Sequence, residues 1–172
     1  MFATEIGLPF GTLRFRPEGD DDRAFRFALF CDSRPDEWQL LPLDAAIRAQ
    51  LMRLQFEAQT ASYRTEFPDA RFDIIELAGE PIGRIVVDRP GNMLHLVDIA
   101  LVPRLRNRGI GTAILQALID EAQAVQLPVR LTVAANNAPS LRLYQRLGFV
   151  PIATIPLYLE LEWRPAPARA HE

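Results

Sequence analysis

The chain has 172 residues, 49% of them hydrophobic and 24% charged, with a net charge of −3 and one cysteine. Such a length and composition fit one soluble globular domain with room for a substantial core. The acidic balance excludes a broad basic nucleic-acid surface. The lone Cys31 excludes an intrachain disulfide and a multi-cysteine metal site, and no apolar run reaches the roughly 18 residues of a membrane span.

The apolar arm Met1–Phe10 is short and lacks a basic leader, so it does not read as a signal peptide. A cytoplasmic location is expected. Thr12 to Arg16 alternates and predicts a strand, which Pro17-Glu18-Gly19 breaks. Asp20, Asp21 or Asp22 caps a helix with Phe25, Leu29 and Phe30 on its apolar face. Ser33-Arg34-Pro35-Asp36 ends that helix in a loop. A second helix, from about Leu43 to Tyr63, carries a stripe of Ile47, Leu51, Leu54 and Ala58.

After the break at Phe67-Pro68-Asp69, strands Arg71–Leu77 and Pro81–Asp88 flank a hairpin turn at Ala78-Gly79-Glu80. A turn at Pro90-Gly91-Asn92 leads into an apolar strand, Met93–Val102. Then come a helix (about Ile110–Val125), a strand (Val129–Ala134) and a short helix (Pro139–Leu147). Strands near Val150–Ile155 and Leu157–Trp163 finish the domain, and the Pro- and Ala-rich tail Arg164–Glu172 is predicted to be disordered.

The order is therefore βααβββαβαββ, an α/β (α+β) domain over residues 1–163. It predicts a mixed, mostly antiparallel sheet of six to seven strands with about four helices on both faces. Antiparallel hairpins followed by one β-α-β crossover argue against a pure Rossmann fold. The apolar arm and Leu157-Tyr158-Leu159 are candidates to cover a sheet edge or to join two copies, so monomer and homodimer both stay open.

Chemistry concentrates in Arg106-Asn107-Arg108-Gly109-Ile110-Gly111-Thr112, between a strand and a helix. Two glycines spaced G-x-G let bare backbone approach a ligand. The first helical N–H groups have no partner of their own, and with the positive end of the helix dipole they favour an anion such as a pyrophosphate. Arg106 and Arg108 add charge there. A nucleotide-phosphate binder using only this turn is disfavoured, because the chain lacks G-x-x-x-x-G-K-S/T.

A second constellation runs from Asn137 to Phe149, with Asn137 and Pro139 at a helix start, Ser140 and Tyr144 one turn apart, and Gly148 at the helix end. Together these segments resemble the GNAT superfamily of N-acetyltransferases. The acyl-CoA signature Q/R-x-x-G-x-G/A is matched by Arg106, Gly109 and Gly111. The strand pattern before it is matched by Ile99, Leu101 and Pro103. The later N-x-x-A/S-x-x-L-Y-x-x-x-G-F is matched by Asn137, Ser140, Leu143, Tyr144, Gly148 and Phe149. Asn107 stands where the family often has Gly, and it tolerates unusual backbone angles.

The resemblance implies a single GNAT-like domain that uses acetyl-CoA as co-substrate and no metal. The main chain of Arg108, Gly109, Ile110, Gly111 and Thr112, with Arg106 and Asn107 nearby, would hold the pyrophosphate. The strand edge Ile99, Ala100 and Leu101 would pair with the pantetheine arm, and an N–H near Leu101 would polarise the acetyl carbonyl. Asn137, Ser140 and Tyr144 would line the far wall, with Tyr144 as general acid for the leaving thiolate. For the base, His95, Asp98 and a relaying water all remain open; Asp98 lies on the opposite parity unless a bulge intervenes. Gln55, Phe56, Gln59 and Tyr63 are candidates to border the acceptor, although a packed helix edge explains them equally well. The expected reaction is acetyl transfer to a primary amine, first of all on a small molecule, with a protein N-terminus or lysine as the alternative acceptor. A non-catalytic acyl-CoA sensor of the same fold is the rival from another class.

Overall fold

Turn and cap chemistry sets most element boundaries in the computed structural model, which describes residues 4–34 and 42–167. A strand β1 (Glu5–Leu8) folds back through Pro9-Phe10 onto β2 (Gly11–Pro17). Helix α1 (Arg23–Asp32) follows a 3-10 turn of three aspartates, and α2 (Ala45–Glu66) is capped by the Asp44 carboxylate, which accepts from the Ala46 N–H at 2.8 Å. Next come β3 (Arg71–Leu77), β4 (Glu80–Asp88), β5 (Leu94–Leu101), α3 (Ile110–Val125), β6 (Val129–Ala134), α4 (Ala138–Arg146), β7 (Val150–Ile155) and β8 (Tyr158–Trp163).

All the strands form one sheet in the order β1-β2-β3-β4-β5-β6-β8-β7. Among the described residues β5 and β6 pair in parallel and the other neighbours are antiparallel. This is the mixed sheet read from the sequence, with eight strands in place of six or seven. The additional strand is β1. Its alternating pattern is too short to read as a strand alone, and pairing with β2 is what makes it one.

Each face of the sheet carries helices. On one, Leu13, Phe15, Ile75, Ile85 and Leu96 pack in a buried cluster with Ile110, Ile114, Leu115 and Leu118 of α3. Removing such side chains from water contributes about 1.5–3 kcal/mol apiece, before the entropy of ordering them is set against it. On the other face Leu29 and Phe30 of α1 and Phe56 of α2 are buried, with Phe72, Ile74 and Val86 below. Here the expected α2 stripe is corrected. Ile47 and Leu54 are 51% and 58% exposed, and the inward face is built on Phe56, whose ring meets Phe27 and Phe30 edge-on. Both faces of α2 carry apolar residues, so periodicity alone picks the wrong one.

One irregularity shapes the site. Val86 opposes Asp98 and Val87 opposes Leu96, so Val97 has no partner on β4 and forms a bulge. His95 is paired with Asp88, one step from Val87, and therefore shares the face of Val86 and Asp98. The parity that would align His95 with Ile99 is broken. His95 and Asp98 point to the same side, toward α2, while Leu96 and Ile99 point toward α3.

The chain end is partly tied down. The Ala166 N–H donates to Gln123 Oε1 at 2.9 Å, and Gln123 Nε2 donates to the Ala166 carbonyl at 3.1 Å. The rest of the tail, residues 168–172, lies outside the described residues, as do Met1, Phe2 and Ala3 of the N-terminal arm.

Candidate active site

β5 and β6 are in register only from Leu94 to Leu96 against Val129 to Leu131, and then they part. The gap is a cleft of about 160 Å³ with Asp98 and Ile99 on one wall and Asn137, Ser140 and Tyr144 on the other. The separation leaves one edge of β5 unpaired. The Val102 N–H donates to the Ile82 carbonyl of β4 at 2.9 Å. Because successive strand amides point to opposite edges, the Leu101 N–H faces the open one. Ala100, opposite Arg84, turns its own N–H toward β4.

At the end of β5 the chain makes a 3-10 turn, Pro103–Leu105, and then takes two left-handed steps, at Asn107 (φ 58°) and Gly109 (φ 81°). Asn is among the few side-chain residues that adopt this conformation readily, which accounts for its presence where glycine is commoner. Gly109 is the N-cap of α3 and brings no side chain to satisfy the helix start. The Ala113 N–H is bonded to the Gly109 carbonyl at 3.0 Å, so the N–H groups of Ile110, Gly111 and Thr112 lack intrahelical partners. Ile110 is buried in the core and fixes the direction of the helix, whereas Thr112 is exposed. A Cβ on Gly111 would lie 3.7 Å from Leu143 and 4.0 Å from Leu101, ordinary contact distances. The fold alone does not demand glycine at 111. Those same contacts bring the uncapped helix start against α4 and the end of β5, at the cleft.

The two arginines of the turn differ. Arg106 Nε donates to the Leu101 carbonyl at 2.9 Å and its Nη2 to the Asp32 carbonyl at 3.0 Å, which ties β5 to α1. Two of its five N–H donors brace the loop, and the side chain is exposed beside the helix start. Arg108 is exposed, its guanidinium 5.3 Å from the Phe10 ring centroid.

Below the cleft lies a charge network. Arg84 Nη1 donates to Asp98 Oδ2 at 3.1 Å and Arg84 Nε to Glu18 Oε2 at 2.8 Å. Glu18 also accepts from Arg26 at 3.0 Å and from Arg64, while its own side chain is 2% exposed. Burial pushes the Glu18 carboxyl up, but Arg84, Arg26 and Arg64 outweigh it and hold the group below its usual range. For Asp98 burial wins over Arg84, and its carboxyl is raised. Neither Glu18 nor Arg84 was singled out from sequence. Glu18 reads as part of a Pro-Glu-Gly turn, and the available signal was Arg84 itself, a charge inside the otherwise apolar run Ile82–Val87.

Two tyrosines face Asp98 from opposite helices. Burial, with the Asp98 charge second, pushes both Tyr144 on α4 and Tyr63 on α2 up to about 12. Tyr144 is therefore held protonated. His95 sits further down β5 with the Phe67 ring edge-on at 5.2 Å, and burial lowers its pKa, leaving the imidazole neutral near pH 7. His95 does not line the cleft with Asp98. Of the acceptor candidates on α2, Gln55, Gln59 and Tyr63 are half-buried on the inward face. Phe56 is part of the helix–helix core. Asn137 has two roles: its Oδ1 accepts from the Ser140 N–H at 3.3 Å, capping α4, and it also lines the cleft.

The donor set suits an anionic, elongated ligand: an uncapped helix start beside an open strand edge that leads to Asp98 and Tyr144. Among the described residues no group of three His, Cys, Asp or Glu is placed to hold a metal ion, and no helix is long and apolar enough to cross a membrane.

Residues 27–149 match the acetyltransferase (GNAT) family model. An N-alpha-acetyltransferase of Sulfurisphaera tokodaii is 32% identical over 104 residues, which cover 52% of this chain and 62% of that protein, so the match spans less than two thirds of the relative's length. Among solved structures, the PaiA N-acetyltransferase from Thermoplasma acidophilum in complex with coenzyme A superposes with a TM-score of 0.66 at 18% identity. It covers 88% of this chain and 98% of that one. The ribosomal-protein-S18-alanine N-acetyltransferase from Escherichia coli gives 0.64 at 17% identity, covering 93% and 99%. Likeness at such identities shows the shared fold.

Proposed function

The chain belongs to the GNAT family of acetyltransferases, and from that premise we propose that it transfers an acetyl group from acetyl-CoA to the primary amine of a small molecule. Attack is direct, with both substrates bound together. The observation that carries this reading is the placement of the uncapped α3 start against Leu143 and Leu101, at one end of the cleft that Asp98 and Tyr144 line.

The N–H groups of Ile110, Gly111 and Thr112 grip the pyrophosphate, with Arg108 adding charge at the rim. The open edge of β5 lays the pantetheine arm along the strand as an added strand would lie. The Leu101 N–H polarises the acetyl carbonyl. When bound, the co-substrate supplies an activated acetyl thioester.

The remaining work is proton transfer. An ordinary amine, of pKa near roughly 10, arrives as an ammonium ion and must lose a proton before it attacks. Asp98 attracts that ammonium and takes its proton, a task for which burial has raised its carboxyl. The new bond joins nitrogen to the acetyl carbon while the carbon–sulfur bond breaks. Tyr144 then protonates the departing thiolate, and its phenolate is reprotonated by the second proton that the nitrogen sheds as the amide forms. Each positioned proton donor or acceptor contributes about 10²–10⁴-fold, and holding both substrates in reach contributes more.

A second reading moves the acceptor to a protein α-amine, in keeping with the name of the Sulfurisphaera relative. Incubation with acetyl-CoA and parallel panels of small amines and peptides, followed by free-thiol release, tests both. Release stimulated by small amines supports the first reading and release by peptides alone supports the second. Tight CoA binding without stimulated release would leave a sensor.

A further inference from the structure

The acceptor side of the sheet holds more positive charge than its ion pairs use. Arg26, Arg64 and Arg84 converge on Glu18, and Arg84 also holds Asp98. A fourth cation, Arg34 at the end of α1, forms no ion pair among the described residues. Its guanidinium lies 4.0 Å from the Phe30 ring centroid, and its Nε is buried with no hydrogen-bond partner. A guanidinium held over an aromatic ring can still present its terminal N–H groups to a bidentate carboxylate. The end of α1 that carries Arg34 is tied to the acetyl end of β5: Arg106 donates both to the Asp32 carbonyl, two residues before Arg34, and to the Leu101 carbonyl.

We propose that the acceptor is a small amino-carboxylate, whose carboxylate is received by Arg34 on its Phe30 platform while its amine points to Asp98. The proposal rests on the acetyl-transfer reading above and narrows it. Asp98 provides the only carboxylate needed to draw the ammonium end, and Arg34 supplies the unpaired cation for the other end. A carboxylate received there pairs with an otherwise unpaired cation through charge-assisted hydrogen bonds, which are stronger than neutral ones. An amine lacking the acid forfeits this gain.

The test uses the full chain with acetyl-CoA and matched acceptors: phenylalanine against phenethylamine, tyrosine against tyramine, tryptophan against tryptamine, and peptides beginning with the same residues. We expect kcat/KM for the acids to exceed that for the amines by about 10-fold or more, the scale of a charged hydrogen-bonded pair. Arg34→Met should lower turnover of the acids alone, chiefly through KM, and Arg34→Lys should restore part of it. Equal use of acids and amines, an equal loss for both in the Met variant, or a preference for the peptides would overturn the assignment while leaving acetyl transfer in place. No thiol release with any acceptor, alongside intact CoA binding, would overturn both.

Discussion

Tyr144 and Phe149 are joined twice: the Phe149 N–H donates to the Tyr144 carbonyl at 3.0 Å, and their rings meet edge-on with centroids 5.6 Å apart. Gly148, at φ 89°, makes the left-handed turn between them. This is the Schellman ending of α4, and its hydrophobic contact is the ring that faces the cleft. The same residues that stop the helix therefore aim the proposed proton donor. Tyr144→Phe keeps the ring contact and removes only the hydroxyl. Turnover should fall about 10²-fold or more with CoA affinity unchanged, as steady-state kinetics and a binding titration will show. Undiminished turnover would remove Tyr144 from the mechanism.

Gly111→Val places two methyl groups where the pyrophosphate approaches the helix start. A Cβ there meets only ordinary contacts, so the fold should survive with an unchanged circular dichroism spectrum. Calorimetric titration should show CoA binding abolished. Retained affinity would mean that the anion lies elsewhere.

Asp98 and His95 share a face because of the Val97 bulge, and pH separates them. With Asp98 as base, activity falls on the acid side as its raised carboxyl protonates. Asp98→Asn should lower kcat by about 10²-fold or more and flatten that limb. His95→Gln should leave the limb in place and cost under about 10-fold, because a neutral imidazole outside the cleft touches no reacting atom. A limb lost in the His95 variant and kept in the Asp98 variant would reverse the assignment.

Glu18 stabilises the fold in a pH-dependent way. Its folded carboxyl lies below the ordinary value of 4.5, so the unfolded chain takes up the proton first. The stabilisation is complete above that value and is lost as pH falls through the lower folded one. Removing the carboxylate leaves Arg26, Arg64 and Arg84 without their common partner. Glu18→Ala should therefore cost about 3–5 kcal/mol near neutral pH in denaturant unfolding. Glu18→Gln should show a weaker loss of stability on acidification than the parent chain. A near-neutral cost under about 1 kcal/mol would show the network to be dispensable.

What was readable from the sequence was local. The glycine turn, the Asn137 cap, the Gly148 stop and the hairpin turn between β3 and β4 each lie within a few residues, and each formed where expected. What was not readable depends on distance or on two equal choices. The Glu18–Arg84 pair joins residues 66 apart. The bracing bonds from Arg106 to the Leu101 and Asp32 carbonyls likewise have no local signal, since Asp32 is 74 residues away. The side on which Asp98 emerges turns on one unpaired residue, Val97, because a single bulge reverses every later side chain on the strand. On α2, the exposed Ile47 and Leu54 formed a cleaner stripe than the face that Phe56 buries.

The proposed function stands on the main-chain amides opening α3 as the grip on the coenzyme. Backbone amide NMR of the chain titrated with CoA measures this directly. The largest shifts are expected at Ile110, Gly111 and Thr112, with a second group at Leu101 along the open edge of β5. Saturable binding whose shifts cluster away from both places would contradict it.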